Sequence, residues 1–283
     1  MKLVPQPSEN PGWKALQIMV GMKIATPISS LFRNPEQAET IIAGSDCLEC
    51  RDHSPGTNWP GIELFHTDIQ PIHPLSAAEW THLKKIRDTH PQLKLLSLHL
   101  ASCCDQPVLV GGRFQKGGKA CSRNELLATA VENIDQIRGI FGAGVELAVE
   151  NNNFYPTPAY QFVCDADFIS EIVQANRLRF LFDLAHAHIT ATNQGIAYQS
   201  YKRQLPLEML IQVHLCKHGV SESGLAFDAH ELPGAAEFQE VRQLALNHPL
   251  AYLTIEYYKS ANGLIDSLQA AHKIKNEITG SVV

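Results

Sequence analysis

The sequence has no run of about 18 or more apolar residues anywhere in its 283 positions, so it lacks the material of a membrane-spanning helix. Its opening residues, Met1-Lys2-Leu3-Val4-Pro5-Gln6-Pro7, hold no continuous apolar stretch of the signal-peptide kind, and a cytoplasmic location is the default expectation. There is no long basic run, and the net charge is −6. Phosphate neutralisation supplies much of nucleic-acid affinity, so nucleic acid is not an expected partner. Neither a Gly-x-Gly-x-x-Gly nor a Walker-type loop is present to hold a nucleotide. No Gly-x-Ser-x-Gly elbow or Cys–His nucleophile arrangement is visible. No composition break or low-complexity linker divides the chain, and one domain over residues 1–283 is expected. The seven cysteines are odd in number, and in a cytosolic chain they are expected reduced. Cys47 and Cys50 form a C-x-x-C, but in a strand residues three apart point to opposite faces, which favours a structural role.

What is present is a 45% hydrophobic, 18% charged chain long enough to bury a substantial core. Short β-rich segments alternate with helical ones, the pattern of a parallel sheet with crossover helices. Eight strands are expected: Leu16–Met22, Asp46–Arg51, Gly61–His66, Leu93–His99, Gly144–Glu150, Leu178–Asp183, Leu210–His214 and Ala251–Glu256. Pro35 with Glu36 and Glu39 suits a helix start. Ser76–Glu79 and Ser122–Glu125 read as capping boxes, the second opening a helix that runs to about Phe141 before Gly142. Later helices are expected at about Ala166–Asn176, Ala235–Asn247 and Leu264–Ile278. Eight strands with intervening helices fit a closed, single (β/α)8 TIM barrel better than an open sheet. The stretch Ala101–Cys121, with Cys103, Cys104 and Cys121, has no clear periodicity and is expected to be a long rim loop, either a lid or binding loop or a disordered segment. The two adjacent cysteines are read as bystanders to any chemistry.

The informative feature is the residue on which each strand ends. Phe65-His66, Leu98-His99, Val149-Glu150, Phe182-Asp183, Val213-His214 and Ile255-Glu256 each close an apolar strand with one metal-competent side chain. Their spacings of 33, 51, 33, 31 and 42 residues suit one βα unit each, with insertions in the longer ones. In a parallel barrel the C-terminal strand ends converge on one face. His186 follows Asp183 by one short turn, and Asp228 and His230, two apart, would point the same way on an extended backbone. Any one of these residues alone is more often a satisfied core histidine or a helix cap. Their joint occurrence in one register makes a metal site. Five imidazoles and four carboxylates suit Fe, Mn or Zn, exceed what one ion takes, and point to two or three ions with bridging carboxylates. Without metal, four clustered carboxylates would repel one another. His53, His73, His82, His90, His248 and His272 are read as structural. His188 and His218 are candidates for supporting the site. Asn151, Asn152 and Asn153 after Glu150, and Tyr257, Tyr258 and Lys259 after Glu256, are candidates for contacting metal or substrate, Asn152 and Tyr257 foremost.

These motifs resemble those of the multinuclear non-haem iron-dependent oxidative enzymes, the family that includes the iron enzyme of methanobactin biosynthesis, within the xylose-isomerase-like TIM barrels. The resemblance runs from about Asp46 to Lys259, with the motifs in the family's order. Asp46-Cys47-Leu48-Glu49-Cys50 looks like its Asp-Trp-Leu-Glu-Val strand. Phe65-His66-Thr67 and Ser97-Leu98-His99-Leu100 look like its two histidine motifs. Glu150-Asn151-Asn152 is similar to its Glu-Asn-Pro, and Asp183-Leu184-Ala185-His186 to its Asp-Val-Asn-Asn. His214-Leu215-Cys216-Lys217-His218 is similar to its Ile-His-Leu-Ala-Gly-His, Asp228-Ala229-His230-Glu231 to its Asp-x-His-Gly, and Ile255-Glu256-Tyr257 to its Ile-Glu-Arg. His186 stands where the family has asparagine, Asn152 where it has proline, and Glu231 where it has glycine, which marks a divergent branch. The resemblance implies two or three iron ions, activation of O2 and oxidation of a thiol-containing substrate, while the donor set by itself leaves Mn or Zn as alternatives. In that family the substrate is often a cysteine of a ribosomally made peptide, sometimes presented by a partner protein that binds the precursor. Glu150, Asp183 and Glu256 would then be the catalytic carboxylates.

Two related barrels are rivals. Asp183-x-x-His186 looks like the Asp-x-x-His of endonuclease IV, a three-zinc phosphodiesterase, but the net charge and Glu231-Leu232-Pro233 speak against it. Glu150, Asp183, His214 and Glu256 match the one-ion set of sugar isomerases and epimerases, which leaves the remaining histidines surplus.

Overall fold

The computed structural model describes residues 21–56 and 58–280. Eight parallel strands close into a barrel in the order β1-β12-β9-β8-β7-β4-β3-β2. In chain order they are β1 (Lys23–Pro27), β2 (Cys47–Arg51), β3 (Ile62–Thr67), β4 (Leu95–Leu98), β7 (Glu146–Glu150), β8 (Arg179–Asp183), β9 (Leu210–Leu215) and β12 (Tyr252–Ile255). The numbering leaves room for two antiparallel hairpins on the rim, β5 (Val108–Val110) with β6 (Arg113–Gln115), and β10 (Lys217–Val220) with β11 (Ala226–Glu231). The expected strand Leu16–Met22 lies almost wholly outside the described residues. The barrel's first strand is instead Lys23–Pro27, which pairs β2 on one side and β12 on the other.

The helices begin where local chemistry satisfies their free amides. α1 (Pro35–Ala43) has Pro35 in its first turn, and Asn34 accepts from Gln37 N at 3.2 Å. α2 (Ala77–Thr89) and α3 (Arg123–Phe141) open on the Ser76–Glu79 and Ser122–Glu125 capping boxes, and Gly142, at φ 71°, stops α3. α4 (Ala166–Ala175) precedes β8, and α5 (Leu184–Gln194) starts on the residue after it. α6 (Tyr198–Lys202), α7 (Ala235–Asn247) and α8 (Ala261–Gly280) complete the outer layer.

Alternation along the strands divides the core in two. Outward residues such as Leu48, Phe65, Leu96, Val149, Phe180, Phe182 and Val213 pack under the helices in one large cluster. Inward residues Ala25, Cys47, Leu64, Leu95, Ala148, Leu181 and Ile211 form a separate plug inside the barrel. Cys47 and Cys50 accordingly sit in different clusters. Two residues beyond the plug, five of the strands turn polar on the same inward face, at Glu49, His66, Ser97, Glu150 and Asp183, and that level is the floor of the site. β9 keeps this phase through a register shift: Phe180 pairs Leu210 while Leu181 pairs Gln212, so both Ile211 and Gln212 serve the interior.

The stretch expected to be an unstructured rim loop, Ala101–Cys121, is partly ordered by sheet. It carries the β5–β6 hairpin and a bridge between Cys104 and Ala120. Cys103 and Cys104 are fully buried, and the Cys103 thiol donates to Pro158 O at 3.3 Å. No helix of the described residues is long and apolar enough to cross a membrane.

Candidate metal centre

Inward-facing positions two residues above the plug bring His66, Glu150, Asp183 and His214 into the barrel's C-terminal mouth, all buried. His99 and Glu256 join from the first residue after β4 and β12. Glu150 stands at the centre. Its Oε2 faces His66 Nε2 at 3.5 Å and His99 Nδ1 at 3.3 Å. Its Oε1 faces His214 Nδ1 at 3.2 Å and His186 Nδ1 at 3.7 Å. One carboxylate therefore lies between two groups of imidazoles, as a bridging ligand must.

Asp183 has two tasks. It is the last residue of β8 and the N-cap of α5, where Oδ1 accepts from His186 N at 2.7 Å. That leaves Oδ2 free and turns His186 into the mouth one helical turn later. The β10–β11 hairpin brings the remaining pair. His186 Nε2 lies 3.5 Å from Asp228 Oδ2, which lies 3.3 Å from His230 Nε2, and that nitrogen is 3.5 Å from Glu256 Oε2. The extended spacing expected for Asp228 and His230 holds only in part, because His230 has φ 44°. A left-handed backbone is uncommon for a residue with a Cβ, and strain of this kind is usual where a side chain must be re-aimed at a site.

The site also contains residues outside the strand-end pattern. Glu49, fully buried on β2, accepts at Oε2 from His214 Nε2 (3.0 Å), Gln212 Nε2 (2.6 Å) and Thr254 Oγ1 (3.2 Å). Two residues further along the same face, Arg51 donates to Glu49 Oε1 from Nε at 2.9 Å and from Nη2 at 2.6 Å. Nη2 also contacts Glu256 Oε1. Cys216 donates toward Asp228 Oδ1 at 3.9 Å. A period-two reading of Cys47-x-Glu49-x-Arg51 would have found the β2 residues. A search for strands ending in a metal-competent group passes over one that ends in arginine.

Three of the five rings are held at one nitrogen. His66 Nδ1 meets Ser97 Oγ at 2.8 Å, His186 Nδ1 meets Asn151 O at 3.0 Å, and His214 Nε2 meets Glu49. Such contacts fix the tautomer and leave the other nitrogen's lone pair for a cation. Asn151, rather than Asn152, positions the site, exchanging two hydrogen bonds of 2.9 and 2.8 Å with the Asp183 backbone. Asn152 instead donates to Ala101 O at 2.8 Å. Tyr258, rather than Tyr257, faces the centre, its ring 4.9 Å from that of His230. His188 and His218 stack on each other 5.2 Å apart, and His188 packs on Tyr198 at 3.7 Å beside Glu240. They form a separate group on the rim.

The electrostatics are those of an acid crowd. Burial, with Glu150 and Asp228 adding to it, raises Asp183 to about 6. Burial and the neighbouring His99 push His66 down to about 3. For His214 burial also favours the neutral ring, but Glu49 and Glu150 outweigh it and raise the pKa to about 9. Glu150 is driven up by burial and pulled well below its usual range by His66 and His186. Glu150 Oε2, Asp183 Oδ2 and His214 Nδ1 are buried with no hydrogen-bond partner among the described residues. Ligand atoms of these same three residues lie within 4.8 Å of one another, as do those of His66, His99 and Glu150. Glu49, His214 and Glu256, and Cys216, His230 and Glu256, form two further groups of this kind. Buried lone pairs left without donors are costly, and cations would satisfy them. The residues fit a centre of more than one metal ion.

Comparison with known proteins agrees with this architecture. Several solved barrels share the fold at low sequence identity. D-psicose 3-epimerase from Clostridium cellulolyticum aligns with a TM-score of 0.56 at 13% identity, covering 91% of this chain and 99% of that one. A candidate xylose isomerase from Rhodospirillum rubrum gives 0.57 at 12%, covering 89% and 99%. The 3-keto-D-glucoside 4-epimerase of E. coli gives 0.55 at 12%, covering 89% and 99%. Among curated sequences, a UPF0276 protein of Paraburkholderia phytofirmans is 28% identical over 162 residues, 55% of this chain and 50% of the relative. One from a Caulobacter species is 28% identical over 109 residues, 38% and 39% of the two chains. The chain thus spans half or less of the length of these two relatives. Residues 68–275 match a family model described as RiPP precursor modification enzyme MbnB/TglH/ChrH. The match spans most of the chain and takes in eight of the nine residues gathered at the mouth, and the protein belongs to the MbnB/TglH/ChrH family of RiPP precursor modification enzymes.

Proposed function

We propose that this protein is an iron-dependent, O2-using oxidative enzyme that modifies a thiol, the cysteine of a ribosomally made peptide, with a precursor-binding protein as a partner. The observation that carries this reading is the convergence of five imidazoles and four carboxylates around Glu150, with buried lone pairs unpartnered, in a family of peptide-modifying enzymes. His66, His99, His186, His214, His230, Glu150, Asp183, Asp228 and Glu256 would hold the ions. Iron bound there would supply one-electron redox chemistry and an affinity for thiolate that suits a cysteine substrate.

The chain's own residues do the rest. Glu150 presents one oxygen to each group of imidazoles and so holds two ligand sets at a fixed separation. Ser97, Asn151 and Glu49 orient three rings, so binding requires little rearrangement. The buried floor, with Glu49, Asp183 and His214 fully enclosed, keeps bulk water from the inner side of the centre. Reconstitution with ferrous iron under anaerobic conditions, then exposure to O2 with cysteine-containing peptides, should give O2 uptake and a mass change on the peptide. The absence of uptake with every peptide and small thiol offered would count against the proposal.

A second reading is a divalent-metal sugar isomerase or epimerase, favoured by one observation. Glu150, Asp183 and His214 lie within 4.8 Å of one another, and Glu256 Oε1 is 3.1 Å from His214 Nδ1. It leaves five of the nine residues without a task. Turnover of ketoses under argon with Mn or Co would establish it.

A further inference from the structure

Arg51 sits where a cation is expected, and it is part of the protein. On β2 it is the third inward residue after Cys47 and Glu49, beside His66 in the strand register. Its guanidinium joins two carboxylates. Glu49 Oε1 receives two hydrogen bonds, at 2.9 and 2.6 Å, and Glu256 Oε1 is in contact with Nη2. The second oxygens of the same two acids are used elsewhere: Glu49 Oε2 by His214, and Glu256 Oε2 opposite His230 at 3.5 Å. Glu49, His214 and Glu256 form one of the four groups whose ligand atoms converge. Arg51 therefore fills a corner of the centre that has the donor set of a metal position.

Charge counting leads to the same place. Glu49, Glu150, Asp183, Asp228 and Glu256 carry five negative charges, and Arg51 is the only lysine or arginine bonded to them among the described residues. Four negative charges remain, the charge of two divalent ions. A guanidinium stays protonated at any pH at which the protein is folded, so it cannot yield its place by losing a proton. A divalent ion at that corner would have to take the Glu256 oxygen from Arg51 and lie against a fixed positive charge, with little water to screen it.

We propose that Arg51 is a built-in cation that replaces one metal ion, so that the centre holds two divalent ions rather than three. This rests on reading the cluster as a metal centre. In this arrangement Arg51 is a positioning residue, holding Glu256 and, through Glu49, the His214 ring.

The test is a metal count. The wild-type protein and the variants Arg51→Ser, Arg51→Gln and Arg51→Lys are loaded with Mn(II) in the absence of oxygen, passed through a desalting column and measured by mass spectrometry of the metal. Circular dichroism confirms that each is folded. About two ions per chain are expected for the wild type and Arg51→Lys, and about three for Arg51→Ser and Arg51→Gln. Three ions in the wild type would overturn the proposal even if no variant folded. Two ions in folded Arg51→Ser and Arg51→Gln would also overturn it. A wild-type chain that retains no metal would instead remove the metal-centre reading on which it stands.

Discussion

His214 and Glu49 meet at the centre of the barrel, Nε2 to Oε2 at 3.0 Å, both fully enclosed. The contact decides which nitrogen of His214 carries the proton. In the neutral ring that a cation requires, Nε2–H donates to the carboxylate, and the Nδ1 lone pair faces Glu150 Oε1 at 3.2 Å and Glu256 Oε1 at 3.1 Å.

Glu49→Gln is accordingly expected to weaken metal binding by about 10–100-fold without removing a ligand. The amide is nearly isosteric, but it lacks the charge that holds the His214 proton in place. Competition with a chelating dye would measure this. Unchanged affinity would show that the contact does not orient His214.

Asn151→Ala removes two buried hydrogen bonds to the Asp183 backbone, whose N–H is left unpaired at the start of α5. A loss of about 1–3 kcal/mol in urea unfolding is expected, together with weaker metal retention as Asp183 and His186 lose their footing. A stability loss with full metal affinity would confine Asn151 to the fold.

The metal-free protein should lose stability as pH rises from about 7 to 9. His214, with a folded pKa of about 9 against 6.5 in the open chain, contributes stability that is complete below 6.5 and gone once pH passes its folded value. His186, raised well above its ordinary value by Asp183, Glu150 and Asp228 against the effect of burial, acts in the same direction. Asp183, raised to about 6, has already lost its contribution by neutral pH. Metal-loaded protein should show a flatter profile, because cations take over the role of the protons. Thermal melts of both forms from pH 6.5 to 9 would test it. A metal-free profile that rises with pH would mean the acid crowd is compensated in another way.

Leu181→Ala opens a cavity in the fully buried plug directly beneath Asp183. A cost of about 2–5 kcal/mol is expected, with the number of bound ions unchanged. Loss of metal in a folded variant would mean that the plug sets the height of the site as well as supporting it.

The strands, the capping boxes and the nine residues gathered at the mouth were legible because each is a local signal. An apolar run ending in His66 or Asp183, or a Ser76–Glu79 pair, is written within a few residues. The strand expected at Leu16–Met22 could not be placed in this way, since the neighbouring apolar residues Met22, Ile24 and Ala25 serve as well, and pairing with β2 and β12 selects Lys23–Pro27. The hairpin inside Ala101–Cys121 was hidden because its β5 residues are exposed and alternate with nothing, and its partners Thr157 and Tyr160 lie some 45 positions away.

By itself the sequence determined the parallel barrel and which residue types reach its mouth, because strand period and helix caps are set by nearest neighbours. Only the tertiary structure decided how those residues divide the work. Which imidazole nitrogen is free depends on Ser97, Asn151 and Glu49, drawn from other parts of the barrel. Whether Glu256 faces a metal ion or an arginine depends on Arg51, 205 positions away in the chain. Such contacts arise when the barrel closes β1 onto β12, and the long-range geometry of that closure is not contained in any local stretch of sequence.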